Sequence, residues 1–125
     1  MENSRVLVCV TGQKMCERLI REGSRLASEQ GAVLSVLHVA RKGAELLGVH
    51  SEAEALEYLF KVSSDYGADM TVIRSDEVVK TITSYVDKNG VTSIILGAPR
   101  TGRKDLTLEL KRIMPEIDFH IVYSD

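Results

Sequence analysis

Along this chain the apolar and polar positions alternate between two rhythms. Residues 5–10, RVLVCV, are a short β-branched run ended by Thr11-Gly12, the pattern of a strand buried on both faces. Over residues 14–30 the apolar positions Met15, Leu19, Ile20, Gly23, Leu26 and Ala27 share one helical stripe, while Glu17, Arg18, Arg21, Glu22, Arg25 and Glu29 occupy the rest. That spacing predicts an amphipathic helix lying against a sheet. Gly31 can take the left-handed conformation of a helix end, and residues 33–40 form a second apolar run. The unit then recurs: a helix over about 51–66, a strand at 69–74, a helix over about 76–89, a strand at 92–97, a helix over about 105–114 and a strand at 119–123. Gly67 and Gly90 mark helix ends, and Pro115, which has no N–H to donate, stops the fourth helix.

Strands alternating with helices call for parallel pairing and right-handed crossovers. The expected fold class is therefore α/β: a single open five-stranded parallel sheet with helices on both faces. With 125 residues and no linker or low-complexity tract, the chain is expected to form one domain over 1–125. Sixteen basic against 18 acidic residues leave a net charge of −2, so no global field draws the protein to nucleic acid or to a membrane. The start, MENSRVLVCV, lacks a sustained apolar signal region, and no apolar run approaches the roughly 20 residues of a membrane helix. A cytoplasmic protein is expected. Cys9 and Cys16 are too few for a disulfide framework and are not spaced as a CxxC pair, which suits a reducing compartment.

In an open parallel sheet the ligand crevice lies outside the carboxyl ends of the strands where their order reverses. Three loops can line it: 11–14 after the first strand, 40–50 after the second and 97–104 after the fourth. The last, GAPRTGRK, joins Gly97 and Gly102 to Arg100, Arg103 and Lys104 ahead of a helix. These are materials for binding an anion, through closely approaching backbone amides and guanidinium forks; the bland alternative is a pair of turns with a solvated basic face. The GxxxxG spacing followed by Arg-Lys is not a Walker A loop, because no Ser or Thr follows Lys104 to hold magnesium. Thr11 and Gly12 either meet a phosphate or ribose or simply cap a helix. His38 either contacts a base or is a packed, satisfied ring. Cys9 reads as core, and Cys16, in the first turn of the first helix, as packing. His50 and His120 have no metal-ligand spacing, so no metal site is expected. No GxSxG elbow, HExxH or acidic pair tied to the crevice occurs, and binding without turnover is the better-supported expectation, so the chain is not expected to be an enzyme.

With these residues in view, RVLVCVTG at the start, LSVLHVA as second strand and TSIILGAPRTGR as fourth strand and loop, the chain resembles the universal stress protein family. The run RVLVCVTGQKMCERLIREGSRLASEQGA, with VTSIILGAPRTGR and the late DFHIV, is similar to the stress-protein-like subdomain of Kdp potassium-sensing histidine kinases. The resemblance implies a five-stranded parallel sheet, frequent homodimers, and regulatory binding of ATP, AMP or cyclic di-AMP. It implies a nucleotide site at Thr11, Gly12, Gln13, His38, Val39, Gly97, Arg100, Thr101, Gly102 and Arg103, with the base beside the Val39 backbone. Two departures accompany it. ATP-binding members have Asp where this chain has Thr11, and their Gly-x2-Gly-x9-Gly-Ser/Thr pattern, started at Gly97, meets Arg100, Leu110 and Lys111. The Ser-x-Ser and Phe-Thr-Ala-x-Tyr elements of cyclic di-AMP-binding Kdp domains correspond to Thr11-Gly12-Gln13 and Leu34-Ser35-Val36-Leu37-His38, where only Thr11, Ser35 and His38 are partial matches.

Two readings follow. One is a non-catalytic regulatory domain that binds an adenine nucleotide at the carboxyl ends of strands one, two and four. The other is a nucleotide-free module that dimerises through the fifth strand or joins a Kdp-type sensor kinase, with Leu46, Leu47 and Val49 as a further apolar contact. Neither calls for nucleic acid or membrane as partner.

Overall fold

The computed structural model describes residues 4–10, 16–40, 52–98 and 106–123. Nine elements follow in chain order: β1 (Arg5–Val10), α1 (Cys16–Gln30), β2 (Val33–Ala40), α2 (Glu52–Asp65), β3 (Asp69–Arg74), α3 (Val78–Asn89), β4 (Ser93–Gly97), α4 (Leu106–Ile113) and β5 (Asp118–Val122). The strands form one parallel sheet in the order β3-β2-β1-β4-β5. The expected α/β architecture with helices on both faces is what the chain adopts.

The alternation of side chains along each strand sorts the core into two layers. Val6, Val8, Val10, Leu34, Val36 and Ile95 pack with the inner stripes of α1 and α2. Leu7, Cys9, Leu37, Val39, Ile94 and Leu96 pack with α3 and α4 on the opposite face. The α1 stripe buries Leu19, Ile20, Gly23, Leu26 and Ala27 as the spacing predicts, and adds Cys16; Met15 lies outside the described residues. Gly23 lets α1 approach the sheet closely, because a Cβ there would stand 2.4 Å from Val8 Cγ2.

Helix ends follow the turn chemistry. Gly90 ends α3 at φ 64°, ψ 39°, with a backbone N–H donated to Val86 O, the left-handed cap that glycine adopts without a Cβ penalty. The start of α3 is two residues later than the pattern predicts. The Ser75 hydroxyl accepts the Glu77 N–H at 3.0 Å, so Asp76 and Glu77 form a turn ahead of Val78; this local bond competes with helix. At the amino rim of the sheet, Arg5 ties four elements together. Its guanidinium donates to the fully buried Ser35 hydroxyl at 2.5 Å, to Asp69 at 3.4 Å and, through Nε, to Asn89 O at 3.1 Å.

Candidate functional site

From β1 the chain steps outward through β2 to β3, then crosses to the other side of β1 for β4 and β5. The order therefore reverses between β1 and β4, which is where an open parallel sheet leaves a crevice beyond its strand ends. Val8 pairs with Ile95, and two further residues along both strands bring Val10 level with Gly97. On the other side of β1, Val10 pairs with His38. Three of the predicted site residues, His38, Val39 and Gly97, thus flank the carboxyl end of β1. Thr11, Gly12, Gln13, Arg100, Thr101, Gly102 and Arg103 lie outside the described residues, as do Leu46, Leu47, Val49 and His50.

His38 is 2% exposed, and its Nδ1 lies 2.6 Å from Val10 O. A carbonyl oxygen only accepts, so Nδ1 carries the proton and the neutral ring keeps a bare lone pair on Nε2. That nitrogen is closed off from solvent and has no hydrogen-bond partner among the described residues. Burial holds the imidazole below its ordinary pKa; the bond to Val10 O opposes this shift and the nearby charge of Arg74 adds to it. His38 is therefore a neutral acceptor at pH 7.

The Val39 side chain is core, 5% exposed on the α3 and α4 face, but its backbone is placed differently. Val33 N donates to Ser4 O on the β1 side, and Ala40 O accepts from Ser75 N on the β3 side. Alternate residues of a strand turn their polar groups the same way, so Val39 faces β1. Its register with β1 stops at Val10 and His38, whereas pairing with β3 continues to Ala40 and Arg74. The Val39 carbonyl accordingly projects past the last described residue of β1. Gly97 is half-buried at the end of β4 and pairs with Val122, after which Ala98 N donates to Val122 O at 2.9 Å.

Ser35, the other partial match of the second strand, is not part of this rim. It sits opposite Leu7 and Asp69 in the amino half of β2 and is held by Arg5. Leu110, at the third glycine place of the ATP pattern, is fully buried on α4, so that place belongs to the core. Cys9 is buried and its thiol is pushed up to about 12. Burial also raises the Cys16 thiol, so the packing reading of both cysteines holds. Tyr58, absent from the sequence-based set, interacts with Cys16 and with Glu17 in the first turn of α1 although the residue as a whole is about half exposed. Nothing in the local spacing marks it, because the contact joins two helices. Among the described residues no three His, Cys, Asp or Glu side chains are placed to hold a metal ion, and no helix is long and apolar enough to cross a membrane.

A groove of about 350 Å³ opens between α1 and β5, lined by Arg25, Leu26, Ile95, Phe119, His120 and Val122 among others. It lies beside the edge strand, away from the rim that gathers His38, Val39 and Gly97.

The family model of the universal stress proteins matches residues 2–109. The chain belongs to the universal stress protein family. Among curated proteins it is 30% identical over 126 aligned residues to a putative KdpD sensor protein of Synechocystis, covering 96% of this chain and 34% of that protein. It is 34% identical over 99 residues to the KdpD sensor protein of Mycobacterium tuberculosis, covering 79% of this chain and 11% of that protein. The chain thus spans about a third or less of these relatives. Solved universal stress proteins share the fold at low identity. One in complex with cAMP has a TM-score of 0.73 at 13% identity, with 100% of both chains covered. One from Archaeoglobus fulgidus in complex with dAMP has a TM-score of 0.62 at 16% identity, with 98% of both chains covered. The expected family and the likeness to Kdp sensors both stand.

Proposed function

We propose that the chain, 1–125, is a non-catalytic regulatory domain that binds an adenine nucleotide, ATP, AMP or cyclic di-AMP, at the carboxyl ends of β1, β2 and β4. The observation that carries this reading is the convergence of His38, Val39 and Gly97 on the end of β1, at the point where the strand order reverses. The Val39 backbone takes the base. Gly97, Arg100, Thr101, Gly102 and Arg103 take phosphate, and Thr11, Gly12 and Gln13 line the site beside it. The solved family members with cAMP and dAMP support the ligand class, and the Thr11 and Leu110 departures weigh against the ATP pattern in its usual form. Isothermal titration against ATP, AMP and cyclic di-AMP tests the reading: heat with at least one is expected, and no heat with any at millimolar concentration refutes it.

A second reading is favoured by β5. This strand ends the sheet, so its outer backbone groups face no neighbouring strand among the described residues, Tyr123 just beyond it is 67% exposed, and the groove beside α1 adjoins it. Such an edge is a template for another strand, which suits a homodimer or docking within a Kdp-type sensor kinase. Sedimentation at micromolar concentration tests the self-pairing form. A ligand-free stable dimer supports it, and a strict monomer counts against it.

A further inference from the structure

We infer that His38 makes this site selective for a ligand that presents a hydrogen-bond donor, an exocyclic amino group or the ribose 2′-hydroxyl, to Nε2, and selective against one that presents an oxygen acceptor there. The inference rests on the nucleotide reading above and adds to it the residue that sets specificity.

The argument is one of proton inventory. An imidazole nitrogen facing a carbonyl must carry a hydrogen, and Nδ1 lies 2.6 Å from Val10 O. The neutral ring holds one hydrogen only, so Nε2 is left as an acceptor. It is buried and has no partner among the described residues, a state that costs stability until a donor reaches it. The position is at the rim: His38 is level with the last residue of β1, two residues from the end of β2. An amino group or hydroxyl entering from the crevice completes the pairing. A 6-oxo group or a phosphate oxygen meets a lone pair with a lone pair, so His38 is not a phosphate ligand. The contact differs from the Val39 carbonyl in being a side-chain acceptor, which substitution can remove.

Three nucleotides separate the two donor sources. AMP carries both the amino group and the 2′-hydroxyl, IMP replaces the amino group with an oxo group, and dAMP lacks the hydroxyl. The expected result is that AMP binds about tenfold more tightly than one of the other two. His38→Phe, which keeps a ring and loses the acceptor, should bring that ratio close to one, and His38→Gln, which keeps an acceptor, should restore part of it. Nitrogen-15 spectra of the unsubstituted protein supply a readout that needs no variant. At neutral pH Nδ1 should appear protonated and Nε2 bare, and the Nε2 resonance should move on adding AMP. If both ratios survive His38→Phe, or if Nε2 is protonated in the free protein or does not move on AMP binding, the inference is wrong while nucleotide binding stands. If none of the three nucleotides binds, the inference falls, and the nucleotide reading falls with it only if ATP and cyclic di-AMP give no heat either.

Discussion

Gly23 offers the sharpest test of how α1 is seated on the sheet. A Cβ at this position would stand 2.4 Å from Val8 Cγ2, 3.1 Å from Leu34 Cδ1 and 3.7 Å from Ile95 Cγ1. The first distance falls about 1 Å short of the 3.4 Å at which ordinary contact begins. Val8 is fully buried in a central strand and branched at Cβ, so it has no flexible end to swing away. Overpacking of this kind costs about 1–3 kcal/mol. Replacing glycine by alanine inside a helix returns about 1 kcal/mol, and the upper part of the overpacking range applies here because the neighbour is rigid. Gly23→Ala should therefore destabilise by about 1–2 kcal/mol, a fall of roughly 4–8 °C in Tm for a domain of this size. Urea unfolding measures it, with an unchanged m-value showing that the denatured state is not the cause. Val8→Ala removes the obstructing methyl groups, so the double variant should be more stable than the sum of the single effects predicts, by about 1 kcal/mol. A Gly23→Ala protein as stable as its parent, or a strictly additive double variant, would refute the close-approach argument.

Two further outcomes follow from the buried titratable groups. Burial holds His38 below its ordinary value near 6.5 in the folded chain, so the unfolded chain takes up this proton first. Its contribution to stability is full above about pH 6.5 and is lost as the pH falls below that value toward the folded pKa, at up to about 1.4 kcal/mol per pH unit. The difference in stability between parent and His38→Phe, followed by urea unfolding from pH 7.5 to 5, should show this slope; a flat difference argues against a neutral buried ring. For the cysteines, the Cys9 thiol stands near 12 and that of Cys16 is also raised. A disulfide reagent at pH 8 should label both only as fast as the protein opens, and urea should accelerate labelling of each. Rapid labelling of Cys16 in the native protein would contradict its burial.

The architecture was legible because it is written in local periodicity. The α1 stripe, the β-branched runs and the glycine and proline stops each need only a window of a dozen residues, and parallel pairing follows from the alternation of strands with helices. What escaped was set by contacts between distant parts of the chain. The late start of α3 depends on the Ser75 hydroxyl competing for a backbone N–H. Ser35 carries a polar side chain in a strand that reaches the crevice, yet its place in the amino half and its bond to Arg5, 30 residues away, assign it to the opposite rim. His38 could be read from sequence as a ligand contact or as a satisfied core ring. In the structure one nitrogen is satisfied by Val10, 28 residues away, and the other finds no partner among the described residues, a division no spacing rule contains. Tyr58 went unnoticed for the same reason, since its neighbours Cys16 and Glu17 belong to another helix.

The parallel arrangement also dictates how this fold connects to anything attached to it. All five strands run the same way, so a chain entering at Arg5 does so at one rim and a chain leaving after Val122 does so at the other. Five to six strand residues separate the rims by about 17–20 Å. Flanking segments, wherever this domain is carried within a longer polypeptide, are consequently joined in series through its thickness, and the exit lies on the same side as the crevice. A ligand seated at that rim would act next to the outgoing connection, while the incoming one is anchored behind the Arg5 clasp.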